Sequence, residues 1–159
     1  MEKKNKISIV LASNDLDKTM SALIIANGAK AMGMEAIIFF TFWGITVLRN
    51  NTKNSKNKSF LQKLMSIMLP NSSNKLPLSK MNMGGLGAKM MKVLMKKHNV
   101  ASLQQLIDLA IEQKVRLVVC EMSMSLMGLS KEEIIDGVDY GGVCTYLDET
   151  SETCTNLFI

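Results

Sequence analysis

Two short and almost uninterrupted apolar runs constrain the fold of this chain more than any other feature. Residues 7–12 and 36–42 are hydrophobic at nearly every position, as strands are when helices cover both faces of a parallel sheet. A helical spacing of apolar side chains separates the two runs, at Leu16, Met20, Leu23, Ile24 and Ala31. We therefore predict a strand, a helix capped by Asn14 or Asp15, and a second strand.

The same alternation continues to the end of the chain. The further predicted elements, in chain order, are a helix at 88–97, a helix after a capping-box pattern at 102–105, a strand at 115–120, a helix at 122–127, a second capping box at 130–133, a helix at 143–152 and a strand at 155–159. Strands that alternate with helices favour an α/β fold. We expect a three-layer α/β/α arrangement around a mostly parallel central sheet.

The length of 159 residues predicts a single domain over 1–159. Within it we interpret 45–97 as a basic, methionine-rich elaboration between two core units. It contains a polar loop at 50–59, a short apolar helix at 60–69, a second loop at 71–77 and a glycine-rich stretch before the helix at 88–97.

Charge is distributed unevenly along the chain. No acidic residue occurs from 36 to 107, whereas 49–97 carries Arg49 and ten lysines, and from 108 onward ten acids face three basic residues. The basic segment suits an acidic protein, a nucleic acid or a membrane surface, or it complements the acidic third between subunits. Nucleic-acid binding by base stacking is disfavoured, because Phe60 is the only aromatic residue in 49–97.

Hydropathy and cysteine content indicate a protein of the reducing cytoplasm. The longest uncharged apolar stretch, 36–48, has thirteen residues, and a membrane span needs about 20. A core strand with its following turn explains it better. Three cysteines without paired spacing argue against a disulfide framework.

Cys120 is the main candidate for chemistry. It ends the apolar run 115–120, and open α/β sheets bind ligands at the carboxyl ends of their strands. Free N–H groups of a following helix would favour the thiolate, the reactive form of cysteine. The alternative is a small buried hydrophobic residue. The proposed pocket around the thiol consists of Asn14, Trp43, Gly84, Gly85, Ser123 and Met124.

The candidate residues also have simpler interpretations. Asn14 suits a helix cap, and Trp43 suits a packing anchor. The loop at 84–87 lacks the residue order of a phosphate-binding loop, and a flexible lid beside the thiol is the plainer interpretation. Ser123 is placed to donate a hydrogen bond to the sulfur.

Several segments together resemble one family, the DsrE/DsrF/DsrH-like superfamily, in its DsrE-like branch that often carries the label "peroxiredoxin family". The matching segments are 13–18, 40–44, 81–83 with 87–91, 120–128, 136–138 and 141–143. The resemblance covers nearly the whole chain. Cys144 departs from it, since that branch usually has a small residue there. We interpret Cys144 as a small core residue on a helix, and Cys154 as incidental.

The resemblance implies a flavodoxin-like fold, a homo-oligomer and cytoplasmic sulfur trafficking without a cofactor. In that family a cysteine accepts sulfane sulfur as a persulfide and passes it on, and Cys120 is the cysteine that matches. Typical partners are a TusA-like sulfur carrier or a rhodanese-like sulfurtransferase. The resemblance therefore implies a sulfurtransferase or sulfur carrier, with the category of enzyme left open.

The methionines support two further hypotheses. Soft sulfur ligands of the kind that select Cu(I) are offered by Met81, Met83, Met90, Met91 and Met95, followed by Cys120, Met122 and Met124. A Cu(I) or small-ligand binder is therefore one alternative. Methionines with helical spacing also form adaptable grooves for partners. A non-catalytic interaction or regulatory module that uses the methionine-rich basic segment is the other alternative.

Overall fold

The computed structural model describes residues 5–50, 64, 69–70 and 73–159, with five strands and five α-helices in these ranges. The strands are β1 (Lys6–Leu11), β2 (Glu35–Phe40), β3 (Arg116–Cys120), β4 (Asp139–Gly141) and β5 (Thr155–Phe158). The helices are α1 (Leu16–Ala31), α2 (Leu86–Lys97), α3 (Leu103–Glu112), α4 (Glu121–Leu126) and α5 (Val143–Thr150). The predictions of a loop at 50–59 and a helix at 60–69 lie almost entirely outside the described residues.

The five strands form one sheet in the order β4-β3-β2-β1-β5, and every neighbouring pair is parallel. All strands therefore end at the same edge of the sheet, called here the carboxyl edge. Ala12, Thr41 and Glu121 follow the strands β1, β2 and β3 at this edge. The predicted α/β fold with a parallel central sheet is confirmed.

Helices cover both faces of this sheet, but unequally. The chain moves in one direction across the sheet from β1 to β4, and right-handed crossovers then place α1 and α3 on one face. The step from β4 to β5 crosses back over the sheet and places α5 on the other face. The main core lies under α1 and α3, and a second, smaller cluster contains Tyr146 of α5. The predicted three layers are present.

Helix α1 forms where predicted, but its buried face differs in two positions. Leu16, Met20 and Leu23 are buried, whereas Ile24 is 51% exposed and Ala31 is also exposed. Ala26 and Asn27 take their places in the buried stripe, and Asn27 Nδ2 donates to the carbonyl of Leu106 in α3 at 3.0 Å. The contact with α3 thus determines which face of α1 is buried.

The long apolar run 36–48 divides into a strand and a turn, as predicted. β2 ends at Phe40, two residues before the expected end, and a 3₁₀-helix follows from Phe42 to Leu48. Gly44 makes this turn possible, because a Cβ there would lie 2.1 Å from the carbonyl oxygen of Leu11. The turn therefore packs directly against the end of β1.

One capping box is confirmed and the other is wrong. Ser102 accepts from the backbone N–H of Gln105, and Gln105 accepts in return from the N–H of Ser102. The second pattern ends instead in a short 3₁₀-helix, Lys131–Glu133, without a side-chain cap. Glu133 turns inward, where its Oε2 accepts from Arg49 Nη2 at 3.1 Å between two buried side chains.

Smaller differences concern the ends of the elements. α2 starts at Leu86, two residues before the predicted helix, and α5 ends at Thr150. β4 is an additional short strand that pairs with β3. Within the described residues, no helix has both the length and the apolar character needed to cross a membrane. The single domain over 1–159 stays a prediction.

Candidate functional site

Cys120 is the last residue of β3 and the N-cap of α4, as its position after an apolar run predicts. Its side chain is 1% exposed and belongs to the smaller cluster, on the face that α5 covers. The other buried members of this cluster are Ile37, Phe39, Val118 and Tyr146. The rings of Phe39 and Tyr146 stack with centroids 4.8 Å apart. The thiol is thus buried beside apolar side chains at the carboxyl edge.

Two hydroxyl groups connect the sulfur to the neighbouring strand. Ser123 Oγ donates to Cys120 Sγ across 3.4 Å, and Ser123 is fully buried. Ser123 Oγ also lies 3.0 Å from Thr41 Oγ1. Since the single Ser123 proton is directed at the sulfur, Thr41 is the donor in this second bond. The proton order is therefore Thr41 to Ser123 to Cys120.

Helix α4 contributes less to the thiol than the sequence predicts. It has only six residues, and the Cys120 side chain accepts no capping bond from the backbone N–H groups of this helix. The hydroxyl of Ser123 is the group that donates to the sulfur instead. Glu121 is exposed and its carboxylate lies 3.2 Å from Lys131 Nζ, so this cation offsets the charge next to Cys120.

Asn14 and Trp43 lie together at the carboxyl edge. Asn14 Nδ2 donates to Thr46 Oγ1 at 3.2 Å, and Thr46 Oγ1 donates to the Trp43 carbonyl at 2.7 Å. Asp15, and not Asn14, is the N-cap residue of α1. The indole of Trp43 is 47% exposed. Trp43 follows Thr41 by two residues in the turn after β2. Asn14 and Trp43 therefore lie on the side of the thiol where β2 is.

The other predicted pocket residues are Gly84, Gly85 and Met124. Gly84 and Gly85 have positive φ angles of 66° and 95°, and they line a cavity of about 340 Å³ whose lining residues all fall in 75–92. Met124 is buried in the main core on the opposite face from the Cys120 cluster. Their part in a pocket around Cys120 stays a prediction that no contact described here supports.

The remaining cysteines differ in exposure from Cys120. All three cysteines lie in the described ranges and none forms a disulfide. Cys144 lies on α5 as predicted, but it is exposed, so its interpretation as a small core residue is wrong. Cys154 is also exposed, and its thiol donates to the carbonyl of Lys6 at 3.1 Å.

Four methionines line one apolar groove, called here the methionine groove. The groove has a volume of about 440 Å³, and its methionines are Met81, Met83, Met90 and Met91. Asp17 of α1 also lines it and binds Ser79 through both the hydroxyl and the backbone N–H. Burial raises the pKa of Asp17, but these hydrogen bonds outweigh burial, and the pKa lies below its ordinary value. Ser79 is thereby tied to the first turn of α1.

Metal ligands of other types do not gather in the described part of the chain. No group of three or more His, Cys, Asp or Glu side chains that could hold a metal ion is present among these residues. Met95 is buried in the main core, away from the four groove methionines. A soft-metal site would therefore depend on the groove thioethers alone.

Thr41 is the site residue that sequence reasoning missed. It follows β2 directly, and β2 is the neighbour of β3 in the sheet. The order of strands is needed to bring it to Ser123, because 82 residues separate the two along the chain. A hydroxyl residue near the end of the strand predicted at 36–42 was the available signal.

Comparison with known proteins identifies relatives over the full chain. The family model described as "DsrE/DsrF/DrsH-like family" matches residues 3–158. "Uncharacterized protein YrkE" of Bacillus subtilis is 49% identical over 158 residues, with 99% of each chain covered. "Sulfur carrier protein DsrE2" of Allochromatium vinosum is 32% identical over 167 residues, with 100% of each chain covered. The family resemblance is confirmed.

The fold also has a solved counterpart. The crystal structure of the YchN protein from Escherichia coli superimposes with a TM-score of 0.55 and covers 97% of this chain and 99% of its own, at 12% sequence identity. This likeness concerns the fold alone.

Proposed function

Because the chain belongs to the DsrE/DsrF/DrsH-like family, we propose that it accepts sulfane sulfur as a persulfide on Cys120 and passes it to a partner protein. The observation that carries this proposal is the hydroxyl donor chain that ends on Cys120 Sγ. A directed O–H group stabilises negative charge on a sulfur atom, and the thiolate is the nucleophile in thiol–persulfide exchange. The sulfur carrier name of one relative supports the same chemistry.

The surroundings of the thiol suit a carrier of a reactive sulfur. The cluster around Cys120 is apolar, and the thiol is closed off from solvent. A persulfide held there is protected from bulk thiols that would reduce it. An exposed apolar rim at the same edge of the sheet, formed by Phe42, Trp43, Met122 and Leu126, offers a docking face.

The partners follow from this chemistry. A donor of the rhodanese-like type and an acceptor of the TusA-like type both carry sulfur as a persulfide, and either exchanges it with a thiolate without an added oxidant or cofactor. Three free cysteines suit the reducing cytoplasm. Assembly as a homo-oligomer would cover further apolar surface, such as Val93 and Leu94 on α2.

The direct test is peptide-mapping mass spectrometry after incubation with inorganic polysulfide. The expected result is an adduct of one sulfur atom on Cys120, which a thiol reductant removes and which persists in Cys144→Ser and Cys154→Ser. Cys120→Ser should abolish the mapped adduct at this position and keep the fold, because the two side chains are nearly isosteric. The proposal fails if wild-type protein carries sulfur on Cys144 or Cys154 but not on Cys120.

A second candidate function rests on the methionine groove, whose four thioether side chains are exposed. In this candidate the chain is an interaction module that binds an acidic segment with apolar anchors. Lys80 lines the groove, and Lys89 precedes Met90 on α2 and lines the neighbouring cavity, so both would complement acidic side chains. Flexible methionines adapt to varied apolar anchors.

Calorimetric titration with a purified TusA-like protein tests this candidate. Met90→Glu with Met91→Glu should abolish binding and leave polysulfide loading of Cys120 unchanged. Binding that survives both substitutions would exclude the groove as the docking site.

A further inference from the structure

We propose that Cys144 is the outward-facing thiol that relays sulfane sulfur to Cys120. This inference rests on the proposed function of Cys120. The Cys120 side chain is 1% exposed, so a protein-bound persulfide has no direct access to it in this conformation. Cys144 is exposed, and it lies on the helix that covers the Cys120 cluster. One cysteine thus faces the solvent and the other faces the interior at the same edge of the sheet.

The register of β4 brings the start of α5 close to Cys120. Cys120 pairs with Gly141 in the parallel ladder, where neighbouring strands lie about 4.8 Å apart. Cys144 follows Gly141 by three residues, in the first turn of α5. Thr145 packs over Gly141, since a Cβ added to Gly141 would lie 3.3 Å from the Cβ of Thr145. Tyr146 belongs to the Cys120 cluster. Residues next to Cys144 in the sequence therefore pack onto the Cys120 cluster and onto the strand partner of Cys120.

The first turn of α5 has the features of a segment that opens easily. The helix has eight residues, and its N-cap residue is Gly142, which has no side chain that could accept from the free N–H groups of the first turn. Helices this short depend on packing for their stability, and α5 buries only Tyr146 and Thr150, while Val143 and Leu147 are exposed. Fraying of this turn would uncover Cys120 and give Cys144 the freedom to approach it. The first turn of α5 thus covers the thiol of Cys120 and carries the thiol of Cys144.

The relay consists of two exchange steps at constant oxidation level. The Cys144 thiolate attacks the outer sulfur of a donor persulfide, the donor S–S bond breaks, and the donor leaves as a thiolate. The Cys120 thiolate then attacks the outer sulfur of the Cys144 persulfide, which restores the Cys144 thiolate and forms the Cys120 persulfide. Each step moves one neutral sulfur atom between two thiolates, so no oxidant or reductant is consumed.

Cys154 provides a matched control for Cys144. Both cysteines are exposed, but Cys154 precedes β5, and its backbone N–H donates to the carbonyl of Lys6 at the start of β1. Cys154 therefore lies at the opposite edge of the sheet. It is separated from Cys120 by roughly 15 Å along the strands, the length of β3, and by roughly another 14 Å across the three strand spacings from β3 to β5. An effect that depends on exposure alone would appear equally in both positions.

The test compares a small and a large sulfur donor in the full-length protein. Inorganic polysulfide and persulfidated serum albumin are each incubated with wild type, Cys144→Ser, Cys154→Ser and Cys120→Ser, and samples are alkylated and peptide-mapped over time. With albumin persulfide, Cys144→Ser should load Cys120 at least about tenfold more slowly, because the large donor cannot reach a buried thiol. Polysulfide loading and the Cys154→Ser variant should match wild type within about twofold.

The Cys120→Ser variant gives a second, positive readout. Sulfur from albumin persulfide should accumulate on Cys144 in this variant, because the onward step is removed. Wild-type loading rates in Cys144→Ser, or no sulfur on Cys144 in Cys120→Ser, would overturn the relay and leave the proposed function intact. If neither donor loads Cys120 in any variant, the proposed function fails and the relay fails with it.

Discussion

The hydroxyl of Ser123 donates to the sulfur of Cys120 across 3.4 Å, and both side chains are buried. This bond joins the end of β3 to the first turn of α4. Thr41, which follows the neighbouring strand β2, in turn hydrogen-bonds to the hydroxyl of Ser123. A buried cysteine whose sulfur accepts a hydrogen bond differs from one that only packs, because the donor stabilises negative charge on the sulfur.

Replacement of Ser123 by alanine should slow sulfur loading of Cys120. A hydrogen bond to a charged acceptor contributes on the order of 1.5–3 kcal/mol, which corresponds to a loss in rate of about tenfold or more. The rate of adduct formation with polysulfide near neutral pH measures this effect. Ser125→Ala is the matched control, because Ser125 is exposed on the same helix. Equal rates in Ser123→Ala and wild type would show that the bond does not activate the sulfur.

Replacing one partner of the buried ion pair between Arg49 and Glu133 should destabilise the protein strongly. Both side chains are buried, and their charged atoms lie 3.1 Å apart. Glu133→Leu or Arg49→Met leaves one buried charge uncompensated and should lower the free energy of unfolding by about 3–5 kcal/mol. Chemical denaturation measures the loss.

Two variants sharpen this test. Replacing both partners together, Arg49→Met with Glu133→Leu, should recover most of the loss, because no buried charge then remains. Glu121→Gln, which removes the exposed pair with Lys131, should cost less than about 1 kcal/mol. Additive losses in the double variant would contradict a direct interaction between Arg49 and Glu133.

Gly44 should tolerate no side chain. A Cβ at this position would lie 2.1 Å from the backbone oxygen of Leu11, which cannot move without disturbing β1. Gly44→Ala should therefore destabilise the protein by about 2–4 kcal/mol and displace Trp43. Thermal unfolding and the fluorescence of Trp43, the only tryptophan in the chain, report both effects.

Gly28 is the contrasting position. It lies within α1, and a Cβ there meets no atom within 4 Å. Gly28→Ala should stabilise the protein by about 0.5–1 kcal/mol, because alanine has the higher helix propensity. A similar loss of stability in both variants would show that the contact with Leu11 is not the cause.

Asp17 should make a contribution to stability that disappears in acid. Its pKa lies below the ordinary value of 3.8 in the folded state, where Ser79 donates to it. A lowered folded-state pKa gives stability that is complete above the ordinary value and is lost as the pH falls through the folded value. Asp17→Asn should lower the free energy of unfolding by up to about 1 kcal/mol near neutral pH, and the difference should vanish below the folded pKa. A difference that stays constant with pH would assign the effect to lost packing.

The periodic parts of the fold could be predicted because their signals are local. β1, β2, β3 and α1 follow from apolar runs and helical spacing over a few residues. β4 escaped this reasoning, because its three residues, Asp139, Tyr140 and Gly141, include two of the types that disfavour strands. Pairing with the end of β3 forms this strand, and pairing partners are distant in the sequence.

The failures have the same physical origin. Glu133 would complete a capping box if the local backbone alone decided, but a buried arginine 84 residues away forms the stronger contact. Cys120 could be located from its place at the end of a strand. Thr41 and the cover by α5 could not, because both depend on the order of strands in the sheet.

The order of the strands also has a consequence for biosynthesis. β5 pairs with β1 through residues such as Asn156 and Ser8, which stand near opposite ends of the chain. During translation, β1 to β3 can assemble while the crossover that carries α5 is still inside the ribosome, and long-range pairing of this kind forms late. Cys120 therefore leaves the ribosome without its cover, and the last sixteen or so residues, from α5 to β5, close the compartment that shelters it. The cover over the Cys120 thiol is therefore among the last parts of the fold to form.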